Sequence, residues 1–211
     1  MNPRLKMTAR LLAIAAASLV CAAHASTPAL SQKSLKPAVE QYLQAHGNFC
    51  LGKFTWPIAV SEHDRQVGTN DAIQMPVLEK LGIVTSSVTP GNPSVTQYDL
   101  TDEGRKYYLI KKTVTLGPAD KPIDHPGDFC AAKLKLDRVV RWEPAAVVDG
   151  HAHTTVNYTY ELASAADWTR DPEIQRVFPM IHRIVEGAGK LQLTQAFEWT
   201  KKGWVPVTPG T

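Results

Sequence analysis

Residues 156–162 read Val-Asn-Tyr-Thr-Tyr-Glu-Leu, so Val156, Tyr158, Tyr160 and Leu162 alternate with Asn157, Thr159 and Glu161. Alternation of this kind sends the two sets to opposite faces of an extended chain, which makes the segment a half-buried antiparallel strand. Upstream, Asp149-Gly150 is a tight-turn dipeptide. Before it, Leu134, Leu136, Val140 and Trp142 fall mostly on one side of a second strand. Downstream, Asp171-Pro172-Glu173 offers a cap with proline at the first helical position. Ile174, Val177, Phe178, Ile181, Ile184 and Val185 then keep helical period up to Gly187, with Pro179 set to kink or split the helix. Leu191, Leu193, Phe197 and Trp199 alternate again along a strand that turns at Lys201-Lys202-Gly203 into Trp204-Val205-Pro206. The second half, 128–211, is thus expected to be an antiparallel sheet packed by one main helix, which gives an α+β chain.

Ahead of the sheet lies a Pro-rich connection over 117–127, and ahead of that a more helical part over 26–116. Residues 26–33 read as a loose leader and Ser34 as the cap of a first helix. Leu35, Ala38, Val39, Tyr42 and Leu43 form its apolar face, and Gly47 stands where a left-handed cap would end it. A short strand through Cys50 to Trp56 and a polar stretch over 61–69 follow. The spacing next predicts a helix over 70–81 with Ile73, Val77, Leu78 and Leu81 inward, Gly82 as its stop, and Pro76 weakening its first turn. The breaker-rich run Thr89-Pro90-Gly91-Asn92-Pro93 separates two strand-like segments, 83–88 and 94–100, and Thr101 can cap the short helix after them.

Leu78 to Val84 (LEKLGIV) together with Tyr98 to Tyr108 (YDLTDEGRKYY) resembles the later part of a winged-helix domain, in which a helix feeds a two-stranded wing. The resemblance implies a local fold and does not bring DNA binding with it, because the candidate helix DAIQMPVLEKL carries one Lys against one Asp and one Glu. The Phe129-Cys130 start, VNYTYEL, DWTRDPEIQRVFP and the closing FEWTKKGW resemble small secreted bacterial proteins of unassigned function with cystatin-like or NTF2-like curved sheets. That likeness implies architecture only, since such sheets host enzymes, ligand pockets and inert scaffolds alike.

The first 25 residues read as a secretory signal peptide. Arg4, Lys6 and Arg10 precede the apolar run Leu11 to Val20, and Ala23-His24-Ala25 supplies small residues before Ser26. The apolar run is too short for an anchor helix, and Val20 before Cys21 departs from what a lipidation site requires. With 44% hydrophobic residues the composition is globular, and no later apolar run reaches the roughly 20 residues of a bilayer span. The formal charge of +3 comes from 23 basic and 20 acidic residues, and cleavage removes three basic residues and no acidic one. The mature chain is then neutral, without the overall attraction to phosphate backbones or anionic lipid that a basic protein has. No nucleic acid is expected as a partner, and no transmembrane anchor remains after cleavage. A periplasmic or secreted location follows from export.

Cleavage also removes Cys21 and leaves Cys50 and Cys130 as the one pair in an oxidising compartment. Their settings match: Gly47-Asn48-Phe49-Cys50-Leu51-Gly52-Lys53 and Gly127-Asp128-Phe129-Cys130-Ala131-Ala132-Lys133 share Gly, Asn or Asp, Phe, Cys, two small or apolar residues and Lys. A structural disulfide is expected, and neither cysteine sits in the Cys-x-x-Cys setting of a redox motif.

Chemistry is sparse. His151-Ala152-His153 puts two imidazoles on one face of a strand, where they can share a Zn²⁺ ion, with a third ligand from Asp124, His125 or Asp128, or from His63 or Asp64. The competing reading is a solvated hairpin end beside the Asp149-Gly150 turn. Gly-x-Ser-x-Gly, Ser-x-x-Lys and phosphate-loop patterns are missing, and no other cofactor is expected. Trp142, Tyr158, Tyr160, Phe197, Trp199 and Trp204 either fill the core of the sheet against the 173–186 helix or line a pocket; their period favours core. A non-enzymatic binding or accessory protein is the function these features favour. The alternatives are a metal-dependent hydrolase using His151 and His153, and an inhibitor or immunity-type protein with one protein partner.

Overall fold

The computed structural model describes residues 29–207; the expected signal peptide lies outside the described residues. Helix α1 (Gln32–His46) starts earlier than Ser34 implies. Ser31 is the cap: its hydroxyl accepts from the Ser34 amide at 3.2 Å, and the Ser34 hydroxyl accepts from the Ser31 amide at 3.1 Å. The reciprocal pair satisfies two amides that the first turn leaves without partners, so Ser34 is the third helical residue and 32–33 are not leader. Ser31→Ala should destabilise the protein by about 1 kcal/mol, seen as a lower urea midpoint at unchanged slope. Leu35, Ala38, Val39 and Leu43 are buried as their spacing predicts. At Gly47 the expectation fails, because its φ is −76°, outside the left-handed region. Glycine is needed there for close approach: a Cβ would lie 2.7 Å from the Leu134 carbonyl oxygen, and the Leu134 amide donates to the Gly47 carbonyl at 2.7 Å.

Strand β1 (Asn48–Cys50) stops well short of Trp56. Gly52 has φ +69°, and the Asp128 carboxylate takes the amides of Gly52 and Lys53, so the chain leaves the sheet. Strand β2 (Ile58–Ser61) leads into the polar stretch, over which α2 (Glu62–Val67) forms, with Ser61 and Asp64 as a second reciprocal cap. Helix α3 (Asn70–Lys80) follows, capped by Thr69. Its buried residues are Gln74, Met75, Val77 and Leu78, whereas Ile73 is 45% exposed. Strands β3 (Val84–Thr89) and β4 (Asn92–Leu100) make the expected hairpin, and β4 also pairs with β2 to give a three-stranded sheet in the order β2-β4-β3. Thr101 caps α4 (Asp102–Arg105) as its sequence implies.

After β5 (Tyr108–Leu109) the Pro-rich connection holds structure of its own: its β7 (Pro122–His125) pairs with β6 (Thr113–Leu116), just ahead of it, as a two-stranded ribbon. A ribbon has two free edges, where proline is tolerated, so the prolines did not preclude strands. The long strands β8 (Asp128–Trp142) and β10 (His151–Ala165) flank the short β9 (Ala146–Val148), and the Asp149-Gly150 turn joins the last two. Val139, and not Val140, faces the core. The β8–β10 register skips Val140 between the pairs Asn157–Arg141 and Tyr158–Val139, and such a bulge exchanges the faces of the residues beyond it. Pro179 splits the main helix into α5 (Pro172–Val177) and α6 (Pro179–Glu186), and β11 (Gln192–Thr200) and β12 (Gly203–Pro206) close the chain.

The large sheet is antiparallel in the order β1-β8-β10-β11-β12, with β5 added to β8 and β9 to β10. Two cores result. In one, α1 lies on the sheet face carrying Val139, Val156, Tyr158, Tyr160, Phe197 and Trp204. The helix over the aromatic face is therefore α1 and not the 173–186 helix, which reaches this core chiefly through Ile184 and through its carbonyl, the acceptor of the Tyr160 hydroxyl at 2.8 Å. The other core joins α3 and the β2-β4-β3 sheet to α5, α6 and the start of β8, through Met75, Leu78, Tyr98, Phe129, Trp168 and Ile174. Buried Gln74 donates to the Val177 carbonyl at 3.1 Å, where the break before Pro179 leaves that oxygen without a helical partner. Among the described residues no helix is long and apolar enough to cross a membrane.

Candidate functional site

The two cores meet where β1, β5 and the first residues of β8 run together. Here Asn48 lies opposite Lys133, Phe49 opposite Ala132 and Cys50 opposite Cys130, with a bulge between the last two pairs. The facing cysteines are joined as a disulfide. On the neighbouring side Tyr108 pairs with Phe129, and the Cys130 amide donates to the Tyr107 carbonyl at 2.8 Å. The matched Phe-Cys segments are thus two antiparallel strand neighbours.

Asp128 organises the turn away from this junction. Its carboxylate accepts from Lys53 at 2.9 Å, Gly52 at 3.3 Å and its own neighbour Phe129 at 2.7 Å. Burial nevertheless outweighs these amides and holds its pKa above the ordinary 3.8. Lys53, at the matched position of the first segment, forms an ion pair with Asp71. Asp128→Ala leaves three amides without their acceptor and should destabilise the fold by about 1–3 kcal/mol. Because the folded pKa is raised, the stability this group contributes is complete below pH 3.8 and declines as pH climbs through the folded value. The difference between wild type and Asp128→Asn in urea unfolding should therefore be larger at pH 3 than at pH 7.

Two open clefts flank the disulfide. The larger, about 440 Å³, is lined by Lys106, Tyr107, Cys130, Lys133, Ser164 and Asp167 among others. The smaller, about 290 Å³, includes His46, Cys50, Lys111, Thr113 and Asp128. Asn48 and Leu109 line both. Beneath the larger cleft an aromatic cluster fixes the floor: Phe129 stacks on Trp168 with centroids 5.5 Å apart, and Tyr107 meets both rings edge-on.

Of the residues singled out for metal chemistry, His151 and His153 lie two apart on β10, and the third-ligand candidates lie on other elements. His151 donates through Nδ1 to a Glu198 carboxylate oxygen at 2.7 Å, and His153 lies opposite Glu198 and Ala146 in the sheet register. Asp124 pairs with Lys112 at 2.9 Å, and His125 stacks on Phe54 and contacts the Thr115 hydroxyl. Asp64 is occupied in the cap of α2, next to His63. Among the described residues no three His, Cys, Asp or Glu side chains gather as a metal site. Most of the aromatic set is core: Tyr158, Tyr160, Phe197 and Trp204 are buried and Trp142 is half-buried against them, whereas Trp199 is 38% exposed. Lys106, Lys133, His46 and Asn48 were not legible as site residues. The one signal for them is the repeated Asn/Asp-Phe-Cys-x-x-Lys segment, which supplies Asn48 and Lys133.

Comparison with protein families, with curated proteins and with solved structures finds nothing that matches this chain.

Proposed function

We propose that the protein is an exported, non-enzymatic binding or accessory protein of the periplasm or the extracellular space, and that its binding surface is the pair of clefts at the disulfide. The observation that carries this reading is the distribution of space: α1 and large side chains fill the inner face of the sheet, whereas an open cleft of about 440 Å³ lies at the junction of the cores, against about 300 Å³ for the one between α1 and β8. Lys133 on its rim favours a partner that presents a carboxylate.

The strand–helix–helix–hairpin order of β2, α2, α3, β3 and β4 supports a winged-helix-like module, and α1 laid along a bulged antiparallel sheet supports a cystatin-like or NTF2-like one. Nucleic acid is not the proposed partner. The β3–β4 hairpin has neither Lys nor Arg, and α3 is engaged by α5, with Lys80 bridged to Glu173 at 2.8 Å.

Photo-cross-linkers placed at Lys106 and Lys133, with Lys36 on the exposed side of α1 as control, test the reading in the exporting cell. Adducts from the two cleft sites and none from Lys36 are the expected result. Adducts from Lys36 alone would overturn it, and one adduct mass at both sites would favour the inhibitor or immunity-type alternative. Stoichiometric zinc in the purified mature protein, lost in His153→Ala, would replace it with the metal-dependent hydrolase.

A further inference from the structure

Cys50 and Cys130 are both partly exposed, and each lines a cleft that the other does not. Disulfides enclosed in a core resist thiols, and accessible ones exchange. The surroundings also differ at the two ends of the bond. Cys130 shares the larger cleft with Lys133, whose charge attracts an approaching thiolate, and with Lys106, which is ion-paired with Glu103. Cys50 shares the smaller one with Lys111, whose positive charge favours a departing thiolate. Of the carboxylates at the same places, Asp128 holds three amides, and Asp167 is fully exposed at the cleft edge, 3.7 Å from Arg170. Strand β1, which carries Cys50, is only three residues long and bulged at the cysteine, so little of the ladder has to move for the sulfurs to part.

We infer that the Cys50–Cys130 bond is a thiol–disulfide exchange site for a protein dithiol, entered at Cys130 through the larger cleft, with Cys50 leaving into the smaller one. In the first step a thiolate of the dithiol attacks the Cys130 sulfur, the Cys50–Cys130 bond breaks, and Cys50 departs as a thiolate and takes up a proton. The second thiol of the partner then loses its proton and attacks its own sulfur in the mixed disulfide, which releases Cys130. The partner is oxidised by two electrons to its disulfide, and the Cys50–Cys130 pair is reduced to two thiols. Bulk and charge decide the direction of entry, since the larger, lysine-rimmed opening belongs to Cys130 alone. The inference uses the same clefts as the binding reading but stands or falls on sulfur chemistry, whatever else binds there.

The oxidised mature protein is treated with dithiothreitol across urea concentrations below its unfolding transition, and new thiols are counted by mass after alkylation. Reduction through the native state gives a rate that stays flat with urea. A rate that climbs with urea as steeply as the unfolding constant means that the bond opens only in unfolded molecules, and overturns the inference. A thioredoxin-type protein whose resolving cysteine is replaced by serine then traps the mixed disulfide. Peptide mapping should place it on Cys130, and a trap on Cys50 would sink the assigned direction. Lys133→Gln should slow exchange about threefold in native buffer while leaving the rate in concentrated guanidinium unchanged. A native rate equal to that of wild type would remove the role given to the cleft charge.

Discussion

Replacing Cys50 and Cys130 together by serine is expected to lower the stability of the oxidised protein by about 4.5 kcal/mol on the chain-entropy argument. The sulfurs are 80 positions apart, so the bond closes a loop that contains β2 to β7, including the whole three-stranded sheet and the ribbon. In the unfolded chain that closure removes a large share of the conformations available to residues 51–129. A loss of this size rivals the net stability of an ordinary domain. Urea unfolding of wild type and the double variant under non-reducing conditions reads it directly. A difference below about 1 kcal/mol would mean that the unfolded chain stays compact without the bond.

Phe129→Ala is expected to cost about 3–5 kcal/mol. Its ring is fully buried between the stacked Trp168 and the edge-on Trp56 and Tyr107, and alanine leaves a cavity that these three rigid neighbours cannot close. Tryptophan emission should shift to the red as Trp56 and Trp168 gain water, and Phe129→Leu should retain most of the stability because it keeps apolar volume at the site. An unshifted spectrum in Phe129→Ala would show that the cluster collapses around the gap.

Local periodicity carried most of the second half. The alternation of 156–162, the Asp149-Gly150 turn and the split at Pro179 follow from backbone geometry and the chemistry of single residues, and all stand in the fold. What periodicity cannot carry is register and partner. Val140 lost its place to Val139 through a bulge, which depends on the facing strand. Ile73 was displaced by Gln74 and Met75 because α3 is gripped by α5 from 100 residues away in the chain as well as by the local hairpin. The same limit hid which helix covers the aromatics, since both α1 and the 173–186 segment have a suitable apolar face. At the junction the sulfurs were legible from their matched settings. The clefts beside them were not, because they arise from where β1 and β5 end along β8, and no residue type encodes that.

The cross-strand bond also governs how the molecule answers tension. Pulled from its two ends, the oxidised chain transmits load along α1, across the sulfurs at positions 50 and 130, and straight into the long β8 strand, bypassing everything between. The 80-residue excursion is mechanically shielded, and about 280 Å of extended contour stays hidden until the bond is cut. A molecule stretched before and after reduction would therefore show two different lengths, with the difference reporting the state of one pair of sulfur atoms.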